Sequence, residues 1–144
     1  MAAPRHYTPE TTTTHGPRKR FTLAESNKAL PLVRRIVRDI VASHRRAADM
    51  QTRLESAAAV KDTMALQAEM EGAVDRIQEY VEELQAVGCE LKDYEVGLID
   101  FPGRHQGRDV CLCWRLDEEK VEYWHEIGSG YAGRRPVATL EETE

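Results

Sequence analysis

The sequence predicts an α+β fold, an antiparallel helical hairpin packed on a small three-stranded antiparallel β-meander, and three observations carry it. Apolar residues step by alternating threes and fours from Leu30 to Leu54 and again from Met70 to Leu84, the stripe of a helix that seeks another helix. After Gly88 that period gives way to short runs rich in Val, Ile, Tyr and Trp, the pattern of half-buried strands. The 144 residues, 41% hydrophobic and 31% charged, suffice for one domain around one core.

Residues 1–20 read as a disordered tail, with Pro4, Pro9, Pro17 and the run Thr11–Thr14 but almost no large apolar side chain. Order is expected from Phe21, in a single domain over 21–137. Thr22 and Glu25 have the spacing of a capping box, in which each side chain satisfies an amide left free at a helix start. The first helix, 21–54, presents Leu30, Val33, Val37, Ile40, His44, Ala47, Gln51 and Leu54 as one stripe. His44 is read as a seam residue, and Pro31, which removes one amide donor, should kink the helix.

The second helix, 60–88, presents Met70, Val74, Ile77, Val81 and Leu84 and runs to Gly88, a C-terminal cap. Continuing the first stripe would place Lys61, Ala65, Ala68, Gly72 and Asp75 on the seam. The apolar face therefore rotates near Glu55–Ala59, which makes two antiparallel arms rather than one long helix. Residues 21–54 carry seven basic and three acidic groups, and residues 60–88 carry two basic and seven acidic ones. The opposite charges favour the pairing, though each exposed pair contributes only about 0–1 kcal/mol.

The meander spans 96–127. Its strands are Val96–Phe101, closed by Pro102 and Gly103, then Val110–Leu116, then Val121–Ile127 after a loop Asp117–Lys120. Residues 138–144 form an acidic tail. No apolar run reaches the roughly 18–20 residues that span a bilayer, and the N-terminus lacks the apolar core of a secretory signal, so a cytoplasmic protein without membrane contact is expected. Three cysteines, an odd number, speak for free thiols. A net charge of -5 counts against nucleic acid as the partner, despite the basic stretch through Arg46.

Five segments carry a resemblance: 21–33 (Phe-Thr-Leu-Ala-Glu-Ser-Asn-Lys-Ala-Leu-Pro-Leu-Val), 90–102 with Glu-Leu-Lys-Asp and Gly-Leu-Ile-Asp-Phe-Pro, 113–116 (Cys-Trp-Arg-Leu), 123–126 (Tyr-Trp-His-Glu) and 130–136 (Gly-Tyr-Ala-Gly-Arg-Arg-Pro). Together they resemble the bacterial domain-of-unknown-function family 2203, over residues 21–137. The resemblance implies a small bacterial cytoplasmic protein and brings no catalytic residues with it.

Chemistry-bearing residues crowd into the C-terminal third, where Asp100, Arg115, Trp124, His125, Glu126, Tyr131, Arg134 and Arg135 form the candidate ligand-binding set. Trp, Tyr and Arg dominate binding hot spots. The expected function is therefore a non-catalytic binding or interaction module, whose sheet face and Gly-Arg-Arg-Pro segment hold a protein partner or a small anionic ligand. Arg115 is expected opposite Glu122 and near Trp124. One of Arg134 and Arg135 is expected to pair with Asp100 or Glu126 and the other to stay available.

Gly128, Gly130 and Gly133 match the spacing of a dinucleotide fingerprint, but Pro136 and the chain end at Glu144 leave no room for the helix and acidic residue it requires. An alternative is a small zinc or iron enzyme using His125, Glu126, Asp100 and Cys113. Against it stands the expected register, in which Leu112 opposes His125 and the thiols of Cys111 and Cys113 point away from the imidazole. A second alternative is a homodimer of helical hairpins.

Overall fold

The structure, a computed structural model, describes residues 19–57 and 59–142. The expected disordered tail lies outside them up to residue 18, as do the last two residues of the acidic tail. Among the described residues two helices, α1 (Leu23–Ser56) and α2 (Val60–Val87), precede five strands: β1 (Glu90–Asp93), β2 (Leu98–His105), β3 (Arg108–Arg115), β4 (Tyr123–Glu126) and β5 (Arg135–Pro136). The strands form one antiparallel sheet in the order β1-β2-β3-β4-β5.

The expected hairpin is present, and the capping box forms as read: Thr22 Oγ1 accepts from Glu25 N at 3.0 Å, and Glu25 Oε1 accepts from Thr22 N at 2.9 Å. α1 runs through Pro31 without interruption. Gly88, at φ 116, closes α2 in the left-handed conformation that glycine adopts without a Cβ penalty. Among the described residues no ion pair joins the two arms. Their attraction comes from the apolar seam of Val33, Val37 and Ile40 against Ile77, Val81 and Leu84, all buried.

The sheet has five strands where three were expected. β1 and β5 are short and polar, so no alternation announces them. β2 also continues past Pro102 and Gly103, for two reasons. The missing amide of Pro102 lies on the edge of β2 that β1 no longer covers, and there Phe21 N–H donates to the Pro102 carbonyl at 2.7 Å. Gly103 makes room for Leu112, which a Cβ would meet at 2.9 Å. β2 then turns into β3 through Gln106 and Gly107, both at positive φ (51 and 82), as a two-residue hairpin requires.

The β3–β4 register corrects the expected one by a single residue. Leu112 opposes Trp124, not His125, while Cys111 opposes His125 and Cys113 opposes Tyr123. Val121 and Glu122 stay outside the strand, because Val121 is buried in the core and its N–H donates to Asn27 Oδ1 on α1 at 2.8 Å. A one-residue slip reverses every facing. Ile99, Phe101, Val110, Leu112, Trp114 and Trp124 thus share the face that packs on the helices, and Asp100, Cys111, Cys113, Tyr123 and His125 share the other.

Candidate metal centre

On that outer face three polar side chains are fully withdrawn from solvent: Asp100 is 6% exposed, Cys113 0% and His125 2%. Each offers a donor atom within 4.8 Å of the other two. Asp100 and Cys113 are cross-strand partners on β2 and β3. His125 comes from β4, diagonal to Cys113, and leans across β3 so that Nε2 lies 3.0 Å from Asp100 Oδ1.

The orientation of the ring is fixed from its other side. His125 Nδ1 lies 2.7 Å from the Glu126 carbonyl oxygen, which can only accept, so Nδ1 carries a proton. Ser129 N and Oγ both donate to the same carbonyl at 3.1 Å. The glycine turn that mimics a nucleotide fingerprint in sequence thus anchors the group that holds His125. Gly133 leaves space for Ser129, whose Oγ a Cβ there would meet at 2.5 Å.

Electrostatics around the ring are strong. Asp100, then Cys113 and the Glu126 carbonyl, push the imidazole up to about 10 from its ordinary 6.5, against the opposing effect of burial. Burial, with Asp100 adding to it, pushes the Cys111 thiol up to about 12, and burial does the same to Cys89. Neither of these two thiols is a ready nucleophile at neutral pH.

The rest of the sequence-predicted set lies apart from this cluster. Trp124 faces the core, with its indole N–H donating to Thr139 Oγ1 at 2.9 Å, His105 stacked on it at 4.3 Å and Arg135 over it at 5.2 Å. The Glu126 carboxylate turns to the rim, where Arg108 donates to it at 3.1 and 2.6 Å and Arg135 stands at 3.9 Å. Arg115 is on the opposite face from Trp124 and binds Asp117 and the Tyr131 hydroxyl, each at 2.6 Å. The expected Arg115–Glu122–Trp124 platform therefore does not assemble.

Of the arginine pair, Arg135 meets the expected Glu126 at 3.9 Å, but Arg134 does not stay available: its Nη1 and Nη2 donate to the two Glu118 carboxylate oxygens at 2.7 and 2.6 Å, between the rings of Tyr123 and Tyr131. Glu118 also accepts from Arg115 N at 2.8 Å. Nothing in the sequence singles it out from its neighbours in a polar loop. Nor does the sequence mark Glu142, whose carboxylate accepts from Leu23 N at 2.6 Å at the start of α1. Arg20, Phe21, Thr22, Arg104 and Glu142 line a cleft of about 240 Å³ there.

No helix among the described residues is long and apolar enough to cross a membrane. No curated protein and no solved structure matches the chain. A family model described as an uncharacterized conserved protein, DUF2203, matches residues 19–137, the stretch that holds both helices, the sheet and the buried Asp–Cys–His cluster. The chain belongs to the DUF2203 family.

Proposed function

We propose that this protein is a metal-binding domain that holds one zinc or ferrous ion between Asp100, Cys113 and His125. The observation that carries the reading is convergence. With Nδ1 committed to a backbone carbonyl, the single remaining ring nitrogen faces both the carboxylate and the thiol. A nucleophile–base–acid relay would need thiol and carboxylate on different ring nitrogens. A tetrahedral ion instead wants its donors grouped on one point, about 3.3–3.8 Å apart.

The carbonyl behind the ring is the support that metal-binding histidines commonly have. Imidazole, thiolate and carboxylate together suit zinc or ferrous iron rather than calcium or magnesium. Cost points the same way. A carboxylate and an imidazole withdrawn from water carry a desolvation penalty that apolar residues of equal volume would avoid, whereas an ion turns the same residues into ligands. The ion would supply charge that neutralises the Asp100 carboxylate and the Cys113 thiolate. The chain's own residues orient the ring and exclude water, and the burial of all three donors favours holding over turnover.

Titration of chelator-treated protein with zinc, in competition with a chromophoric chelator, tests this. Binding of one ion per chain is expected, lost or weakened by at least about a hundredfold in Asp100→Ala, Cys113→Ser and His125→Ala. Equal affinity in wild type and all three variants would remove the site from Asp100, Cys113 and His125. The expected alternative of a hairpin homodimer finds less support: on the helices, only Leu32, Val60 and Met64 are exposed large apolar side chains among the described residues.

A further inference from the structure

We propose that Cys111 is the fourth ligand of this centre, so that the ion is held by two thiolates, one imidazole and one carboxylate. The proposal rests on the metal reading above and extends it to a residue outside the three-donor cluster. Cys111 sits directly opposite His125 in the β3–β4 register and two residues before Cys113 on the same strand. Its side chain therefore leaves the same face of the sheet, with Cβ atoms of such cross-strand partners about 4.5–5.5 Å apart.

On that face Cys111 lies beside the centre, since Asp100 on β2 pairs with Cys113, two residues along β3, and Glu90 on β1 pairs with Asp100. Unlike Cys113, Cys111 is half-buried, which places it on the solvent side, where three buried donors leave a coordination position to fill. In this arrangement its sulfur stands outside the 4.8 Å cluster, and the proposal requires a change of rotamer to bring it in.

Glu90 is the competing donor. It lies opposite Asp100 on β1, but its Oε1 is held by Lys92 Nζ at 2.8 Å. Recruiting Glu90 would break an ion pair, whereas the Cys111 thiol makes no side-chain hydrogen bond among the described residues. As each metal–sulfur bond forms, the Cys111 and Cys113 thiols release their protons to solvent, and His125 Nε2 becomes the imidazole ligand with its proton released as well. Four protein ligands close the shell, the arrangement of a structural site rather than one that keeps a place for substrate.

Cobalt substitution of the full chain tests the proposal, because thiolate-to-cobalt charge transfer scales with the number of bound sulfurs. At saturating cobalt, Cys111→Ser should lower that absorbance to about half, while Cys89→Ser leaves it unchanged. Prolonged alkylation of wild-type Cys111 by iodoacetamide at about pH 9, where the thiol of the metal-free chain still reacts slowly, gives an independent readout that needs no variant to fold. It should be blocked by bound metal and restored by chelator. Full charge-transfer intensity in Cys111→Ser, or alkylation of Cys111 at the same rate with and without metal, would overturn the fourth ligand and leave the three-residue site standing. A wild-type chain that takes up neither cobalt nor zinc would remove the metal site itself.

Discussion

His125 and Asp100 meet at 3.0 Å although the strands that carry them are not neighbours; β3 runs between β4 and β2, and the imidazole reaches across it above Cys113. Such a contact requires the ring to lie along the sheet rather than stand away from it. The Glu126 carbonyl holds it there.

Removing either partner should destabilise the metal-free chain. His125→Ala leaves Asp100 buried without its ring, and Asp100→Ala leaves a charged ring without its carboxylate. Each is expected to cost about 3–5 kcal/mol, read as a lower urea midpoint with an unchanged slope. A loss under about 0.5 kcal/mol, the scale of an ordinary surface substitution, would mean that the pair is not closed in solution.

The pH dependence of the same metal-free chain has a definite sign. The folded-state value of His125 is raised, so its contribution is fully present below about 6.5 and is lost as pH rises towards about 10. Cys89 and Cys111, raised by burial to about 12, add a second loss only above their ordinary value of 9.0, where the thiols of the unfolded chain ionise. Between about pH 7 and 9 the melting temperature should therefore fall in wild type and fall less in His125→Asn. Parallel curves for the two proteins would contradict the assignment.

Gly133→Ala reports on the support behind the ring. Its Cβ would press on Ser129 Oγ at 2.5 Å and displace the hydroxyl from the Glu126 carbonyl. Losing a hydrogen bond to the carbonyl that orients a ligating imidazole weakens metal affinity by about 10–100-fold. Ser129→Ala should do the same without the steric push, and the competition titration used for the site measures both. Wild-type affinity in both variants would detach the glycine turn from the centre.

Arg134→Ala and Glu118→Ala should each destabilise by about 3 kcal/mol, because the side chains, 10% and 13% exposed, are each other's bidentate partners. In a double-mutant cycle the combined variant should lose far less than the sum of the two. Additive losses would show that the two groups are separately solvated.

The helices were legible because their signals are local. The Thr22–Glu25 capping box, the stripe phases and Gly88 all fix structure within a few residues of themselves. The centre was only half legible. Asp100, Cys113 and His125 stood out as ligand types, but their meeting depends on the β3–β4 register, and that depends on whether Val121 belongs to the strand or to the core. Sequence alternation admits both, and the Asn27–Val121 bond that decides it spans the whole domain. β1 and β5 left no trace for a related reason: short polar edge strands are defined by their partners, not by their own composition. Glu118 is the clearest miss, since a loop carboxylate becomes a structural anchor only once Arg134 is brought back over the sheet by residues 127–133.

The central claim is that Asp100, Cys113 and His125 hold a metal ion, and elemental analysis tests it most directly. Protein purified without chelator and without an affinity tag should carry zinc or iron at about one ion per chain, with the metal absent from His125→Ala purified in parallel. Less than about a tenth of an ion per chain, with no uptake on dialysis against zinc or ferrous iron, would contradict it.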